Sequence, residues 1–352
     1  GISLYRASNY AQIYGDGDGM FYDDSVNFVI ENGVLKKYNG WQTFVEIPDT
    51  VTSIGDEAFK NNTSMVSVSI PDSVKSIGDS AFYGCTSLLG VVIPDSVEKT
   101  GRCAFQKCSK LASAYLPVNE KFTYMNAYMF ESCTSLKKIE IPDNVTGIDG
   151  AAFAECKKLS DVVLSKNLKT MGWQVFGNDN KLTEIEIPKS LEECRYYRNN
   201  DSIDGGTFDN CANLKTVMFE DGTTEIAEGL FAGCTGIEQI TIPDTVTVIE
   251  SGAFGGCINL KEIVVPDNVT EIQSSAFEYC SSLKTVKLSE NLERIGVYAF
   301  GDCDVLKSIK IPDSVLDIDG AAFAECKELS DVVLSKNLKT MGWQVFGNDN
   351  KL

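Results

Sequence analysis

Ile70-Pro71-Asp72-Ser73-Val74-Lys75-Ser76-Ile77-Gly78-Asp79-Ser80-Ala81-Phe82-Tyr83-Gly84-Cys85-Thr86-Ser87-Leu88 decides the architecture, because the same pattern returns along most of the chain. Its phenylalanine recurs at Phe59, Phe82, Phe105, Phe130, Phe153, Phe176, Phe208, Phe231, Phe254, Phe277, Phe300, Phe323 and Phe346. The spacings are 23, 23, 25, 23, 23 and 32, followed by six of 23, which makes thirteen repeats. A unit this short cannot enclose an apolar face by itself, so coils must stack and share one continuous core. A length of 352 residues would otherwise suggest two or three globular domains. The period replaces them with one solenoid.

Within each unit, the residues before the proline alternate, with Val91 and Ile93 apolar in one copy and Ile139/Ile141, Ile240/Ile242 and Ile309/Ile311 in others. This pattern predicts a short strand with those pairs inward. All nine prolines (Pro48, Pro71, Pro94, Pro117, Pro142, Pro188, Pro243, Pro266, Pro312) follow that strand directly. Proline lacks the N–H that a ladder requires, so it ends the strand there. The Asp-Ser, Asp-Thr or Asp-Asn that comes next in most copies is turn chemistry. Residues 78–85 are expected to form a short helical turn that carries Ala81 and Phe82 inward. Twelve intervals at strand spacing predict a sheet on the order of 58 Å long.

The Ile-Pro-Asp-x-Val-x-x-Ile-Gly-x-x-Ala-Phe-x-x-Cys-x-x-Leu pattern resembles the BspA-type leucine-rich repeat family over roughly residues 46–352. It departs from the commoner Leu-x-x-Leu-x-Leu-x-x-Asn-x-Leu form, since Val74 falls one place early for the last leucine. The resemblance implies a leucine-rich repeat solenoid, a right-handed α/β-type superhelix. Its parallel β-sheet takes one short strand per 23-residue coil, and each coil adds a short helical turn. It also implies a surface-exposed or secreted protein of an anaerobic, host-associated microbe, adhering to host extracellular proteins or to other microbes. It supplies no catalytic residues and no cofactor.

The residues agree with a non-enzymatic reading. The chain has no histidine, which removes the commonest general base and the commonest neutral metal ligand. A net charge of −19 repels phosphate, so nucleic acid and anionic membrane are poor partners. No apolar run is long enough to span a bilayer. No signal peptide precedes Gly1, which says nothing about secretion. The ends read differently from the middle. Asn32-Gly33 between apolar runs signals a type I′ hairpin, so residues 1–46 are expected to form an arm and a hairpin cap, with thirteen repeats over 47–352. Residues 149–182 and 319–352 are the same string apart from Lys158 against Glu328. The second copy stops before the strand that follows the first, so the array is expected to be truncated at Leu352.

Ten of the twelve cysteines lie three residues after the repeat phenylalanine (Cys85, Cys108, Cys133, Cys156, Cys211, Cys234, Cys257, Cys280, Cys303, Cys326). Asn62, Asp179 and Asp349 take that place in the other repeats. Exchange with small polar residues predicts a buried ladder lining a tight turn, against a disulfide framework or a zinc site as rivals. Cys103 and Cys194 fall off the ladder and are expected to be the more exposed, reactive thiols. The aspartates after the prolines stack into a stripe, read as solvated turn residues against a calcium-binding row. Asp16, Asp18, Asp23 and Asp24 only weakly resemble a calcium loop.

The two irregular coils carry the candidate contact residues. The 25-residue coil holds Phe122, Tyr124 and Tyr128, and the 32-residue coil holds Arg195, Tyr196, Tyr197 and Arg198. Both insertions are expected in the same phase of the repeat, protruding from one edge about 15 Å apart. Tyrosine and arginine are enriched at interface hot spots, and insertions on one face of an array often mark its binding face. The alternative is loop drift, with the tyrosines covering neighbouring coils. An extracellular protein ligand is the expected partner; a glycan ligand or a structural wall spacer is the competing reading.

Overall fold

The strand before the proline forms as the alternation requires at eight of the nine prolines, and a second, shorter strand follows in the same coil; the strand expected at Ile240 and Ile242, before Pro243, is not formed. In the computed structural model, which describes residues 27–198, 203–348 and 351, Ser67–Ser69 and Ser76–Ile77 are such a pair. Each pairs in parallel with its counterpart 23 residues away, as in Lys138–Glu140 with Asp161–Val163 and Gly147–Ile148 with Thr170–Met171. The protein is therefore a parallel-strand solenoid with two ladders rather than the one expected. Val91, Ile93, Ile139, Ile141, Ile242, Ile309 and Ile311 all point into the core, and Ile240 is the half-buried exception. The second ladder turns Ile54, Ile77, Met125, Ile148 and their equivalents inward. Between them runs a column of thirteen phenylalanine rings, stacked 4.8–5.7 Å apart. That spacing is close to the distance between paired strands, so one period serves both ladder and column.

The expected helical turn is not found; the described residues contain no α-helix. Residues 78–85 are three consecutive tight turns instead. Ala81 N–H donates to the Gly78 carbonyl, Tyr83 to Ser80 and Cys85 to Phe82. The alternate amides point out of the coil: those of Ser80, Phe82 and Gly84 donate to the carbonyls of Arg102, Ala104 and Gln106 in the next coil, each at 2.8 Å. This arrangement needs left-handed backbone two residues before and two after each phenylalanine, here Ser80 (φ 54°) and Gly84 (φ 69°). Every coil but that of Phe208 shows the pair. A helix cannot pass through such residues. The signal was present in the sequence: the later position is Asn, Asp or Gly in eight of thirteen repeats (Asn61, Gly84, Asn178, Asn210, Gly233, Gly256, Asp302, Asn348), the residues that tolerate positive φ best.

The twelve cysteines are all free thiols, eleven of them buried. Nine ladder thiols donate to the carbonyl of the phenylalanine one coil back, for example Cys85 to Phe59 at 3.2 Å and Cys211 to Phe176 at 3.0 Å. Cys194 corrects the expectation of an exposed thiol: it takes the inward place of the second strand, paired with Met171, and burial pushes its pKa up to about 12. Cys103 is half-buried at a left-handed position, and burial raises its pKa too. Neither is activated, since a reactive thiol needs a lowered pKa. The aspartate stripe has a structural use. The carboxylates of Asp95, Asp143, Asp267 and Asp313 each accept the amide of a residue one coil on, at 2.8–3.0 Å.

Phe28–Glu31 and Val34–Tyr38 form an antiparallel hairpin, with Asn32 (φ 52°) and Gly33 (φ 76°) both left-handed as a type I′ turn requires. Its second strand joins the second ladder beside Ser53–Ile54, and Tyr38 packs on Phe59 at the start of the ring column. The acidic residues of 16–24, Asp349 and Leu352 lie outside the described residues.

The stack is dislocated once, between the coils of Phe208 and Phe231. Their rings are the farthest apart and the most tilted in the column, at 5.7 Å and 21°. The amide of Cys194 donates to Glu228, and those of Gly206 and Asn210 to Ala232 and Gly233, a register seen nowhere else in the array.

Candidate interaction surface

The register places the two insertions at different points of the coil, which corrects the expectation of a shared edge. Tyr124 pairs with Gly147 and Met125 with Ile148, so residues 122–130 follow the ordinary repeat and the added pair is Glu120-Lys121, before the second strand. In the longer coil, Glu193 and Cys194 pair with Thr170 and Met171, and Gln174 N–H reaches Gly205 and Gly206. The added stretch is therefore residues 196–204, after the second strand.

Phe122 is a further correction. It takes the place of Val74, Val97 and Val145 and is fully buried, so it contributes to the core and not to a contact surface. Its amide caps the short loop by donating to Asn119 Oδ1 at 3.0 Å.

Tyr124 and Arg195 do share a face, though not a loop. Both stand on the outward side of the second ladder, where Tyr124, Gly147, Thr170 and Glu193 form one lateral row. The Tyr124 ring lies across Gly147, where a Cβ would sit within 2.6 Å of it. It is 42% exposed, and burial, helped by Asp149, raises the pKa of its hydroxyl, which Arg195 partly offsets. Arg195 is largely solvent-exposed and pairs loosely with Glu193 at 3.7 Å. Beside them Tyr128 meets Trp173 edge-on at 5.5 Å, and the Arg102 guanidinium lies 5.8 Å from the Tyr128 ring. The same edge-on pair recurs as Tyr298 and Trp343 at 5.9 Å. Both tryptophans cross a glycine, Gly150 and Gly320, whose Cβ would collide with the indole. Sequence reading passed over Trp173 and Trp343, although only three tryptophans occur and two of them fall in this register.

The described parts of the nine-residue insertion, residues 196–198 and 203–204, pair with each other and dock on later coils. Tyr197–Arg198 pairs antiparallel with Ile203–Asp204. Tyr196 lies over Gly229 and Gly252, and a Cβ on Gly252 would come within 2.6 Å of its ring. Ile203 is buried against Gly255 and Gly256. Three of these four glycines have positive φ, but the fit is mainly steric: any side chain there would lift the hairpin. Tyr196 thus covers neighbouring coils, the alternative weighed for the loop tyrosines. On the far side of Ile203 a groove of about 360 Å³ runs past Asp209, Thr235, Ser281 and Asp302. Burial and the carboxylates of Glu278, Glu325 and Asp304 push Asp302 up to about 6.

Four overlapping matches to the family described as BspA type leucine rich repeat region (6 copies) take in residues 30–133, 115–203, 190–303 and 247–352. No curated protein matches the chain. Among solved structures, a leucine-rich repeat protein from Bacteroides ovatus is 27% identical with a TM-score of 0.60, covering 88% of this chain and 77% of its own. A leucine rich cell surface protein from Faecalibacterium prausnitzii is also 27% identical, with a TM-score of 0.53 and coverage of 96% and 93%. The pneumococcal vaccine antigen PcpA, 18% identical with a TM-score of 0.51 over 92% and 82%, shares the fold. Among the described residues no helix is long and apolar enough to cross a membrane.

Proposed function

Because the chain belongs to the BspA-type leucine-rich repeat family, we propose that it is a non-enzymatic binding scaffold at the cell surface or outside the cell, an adhesin for host extracellular or other microbial proteins. The cell-surface description of the F. prausnitzii protein supports the location. One observation carries the contact site: Tyr124, on the second ladder, and Arg195, just after it, stand exposed on one face, with the Tyr128–Trp173 pair in the turns that follow. Aromatic and guanidinium groups held in place lose little entropy on binding, which is what hot-spot positions require. The hairpin of Tyr196, Tyr197 and Arg198 extends that face along the array. In this reading residues 28–38 close the first end of the core as a cap; the arm expected before them lies outside the described residues.

The test is capture from host matrix proteins and serum on the immobilised chain, beside the double variant Tyr124→Ala/Arg195→Ala. A protein held by the chain and lost from the variant supports the site. Equal retention by both moves the contact elsewhere. A glycan is the second reading, favoured by the repeated Tyr–Trp pairs beside Asp149 and Asp319. Retention of mucin alone, abolished by periodate, would select it.

A further inference from the structure

The dislocation opens the first ladder on the other side of the coil. Thr216–Phe219 pairs with Glu184–Ile187 along one edge, and no backbone hydrogen bond joins its other edge to residues 239–242. Those residues form no strand, and only the Lys261 amide, donating to the Glu238 carbonyl, ties that coil to the following strand Glu262–Val264. Ladder pairing also lapses between Ser67–Ser69 and Gly90–Val92, between Asp161–Val163 and Glu184–Ile187, and between Thr285–Lys287 and Ser308–Lys310, but a strand remains on each side at all three. At residues 239–242 the strand itself is lost. Ile240 is half-buried there, as are Val217 and Val286 at the same repeat position. A groove of about 530 Å³ opens along the break, lined by Val217, Ile240, Thr241, Asp244, Glu262 and Val264 among others. Met218 and Val264, 46% and 55% exposed, flank it.

We propose that this break is a docking site for an extended cationic peptide segment of a partner protein, which adds as a strand to the free edge of Thr216–Phe219. Two features select that occupant. A sheet edge with unmatched amides and carbonyls is satisfied by another extended backbone, and the alternate side chains of such a strand reach the groove floor and its rim. The floor is apolar at Val217 and Ile240. The rim is acidic. Lys215 and Lys261 are both taken by Glu238, at 2.7 and 2.5 Å. Asp244 and Glu262 form no ion pair among the described residues, and Glu184 and Glu186 stand beside Thr216 and Met218. The net charge of −19 adds a long-range attraction for cations. This site is independent of the Tyr124–Arg195 face.

The probe is a fluorescent seven-residue peptide alternating lysine and valine, titrated against the whole chain by anisotropy. Saturable binding is expected, together with slowed exchange of the Val217 and Phe219 amides. N-methylating the peptide on alternate residues should weaken binding roughly tenfold on one edge and leave it unchanged on the other. Asp244→Lys/Glu262→Lys should weaken it by a similar factor, whereas Tyr124→Ala/Arg195→Ala should have no effect. No saturable binding at millimolar peptide overturns the proposal. So does equal binding of both N-methylated forms, because contact would then run through side chains and not through the sheet edge.

Discussion

Residues 149–182 and 319–352 are one string written twice, with Lys158 against Glu328 the single change, yet only the first is enclosed throughout. The backbone is the same in both. Ala151 and Ala321 have φ of 56° and 55°, Gln174 and Gln344 both 47°, and Asn178 and Asn348 62° and 64°. The early part of each copy is equally buried, as at Phe153 and Phe323 or Cys156 and Cys326. The later part diverges. Met171 is 1% exposed and Met341 46%; Phe176 is fully buried and Phe346 only partly; Trp343 is 57% exposed. The first copy has the coil of Phe208 beyond it, and the second has no described coil beyond it. Conformation in this array is therefore local to the coil, and burial is supplied by the next one.

The sharpest way to break that comparison is to truncate the paired rings. Phe176→Ala should cost about 3–5 kcal/mol in a denaturant titration, the usual range for a fully enclosed phenylalanine. Phe346→Ala should cost less than half as much. Equal losses would mean that burial does not govern stability along the array.

Met171→Ala against Met341→Ala repeats the test on the second ladder. About 2–5 kcal/mol is expected for the first, and no more than about 0.5 kcal/mol for the second, as for an exposed side chain. Amide exchange should show the same gradient, with residues 340–341 opening before 170–171.

Asp179 sharpens the comparison through pH. It takes a ladder place between Cys156 and Cys211, fully buried, with neither carboxylate oxygen hydrogen-bonded. Burial holds its pKa well above the usual carboxylate range, and the nearby Lys157 only partly offsets this. A carboxyl that binds its proton more tightly when folded adds stability below its unfolded pKa, near 4. That stability is lost as pH rises through the raised folded value. Asp179→Cys should therefore stabilise the chain by about 1–3 kcal/mol at neutral pH, the range for relieving an unsatisfied buried group. The advantage should shrink as the solution is acidified. A difference between variant and parent that does not change with pH would show that Asp179 is not the titrating group.

The smallest effect expected is a null. Ala151→Gly and Ala321→Gly act on identical left-handed backbone and equally buried methyls. Their stability changes should agree within about 0.5 kcal/mol, the limit of additivity for independent sites. Disagreement would show that the second copy is distorted as well as exposed.

Much of the fold was legible because the repeat isolates its causes. The Phe period, the proline stops and the inward pairs each follow from one coil's sequence, and the structure has all three except at Ile240 and Ile242, where no strand forms. The helical turn was misread because the Ala-Phe pair suggests a helix, while the deciding residues lie two places either side of the ring. The Asn, Asp and Gly at the later position, as at Asn61, Gly84 and Asp302, were the available warning. The second ladder was missed because two residues, as in Ser76–Ile77, are too few to show an alternation.

The contact face was legible only in part. Tyr124, Tyr128 and Arg195 were singled out for lying in long coils, but what brings Tyr124 toward Arg195 is the lateral row through Gly147 and Thr170 to Glu193, two residues before it. Phe122 looked like an insertion residue until the register showed two residues added before it. The hairpin's seat on Gly229, Gly252, Gly255 and Gly256 joins residues about 30 to 60 positions apart, and no single coil announces it.

The sequence by itself determined the period, the strand before all but one of the prolines, the phenylalanine column and the thiol ladder, because each depends on side chains within one coil and its copy 23 residues away. Only the tertiary structure decided where the hairpin docks and where the ladder splits. Those outcomes depend on how a nine-residue insertion shifts one coil against the next, and steric fit between coils has no periodic signature to read.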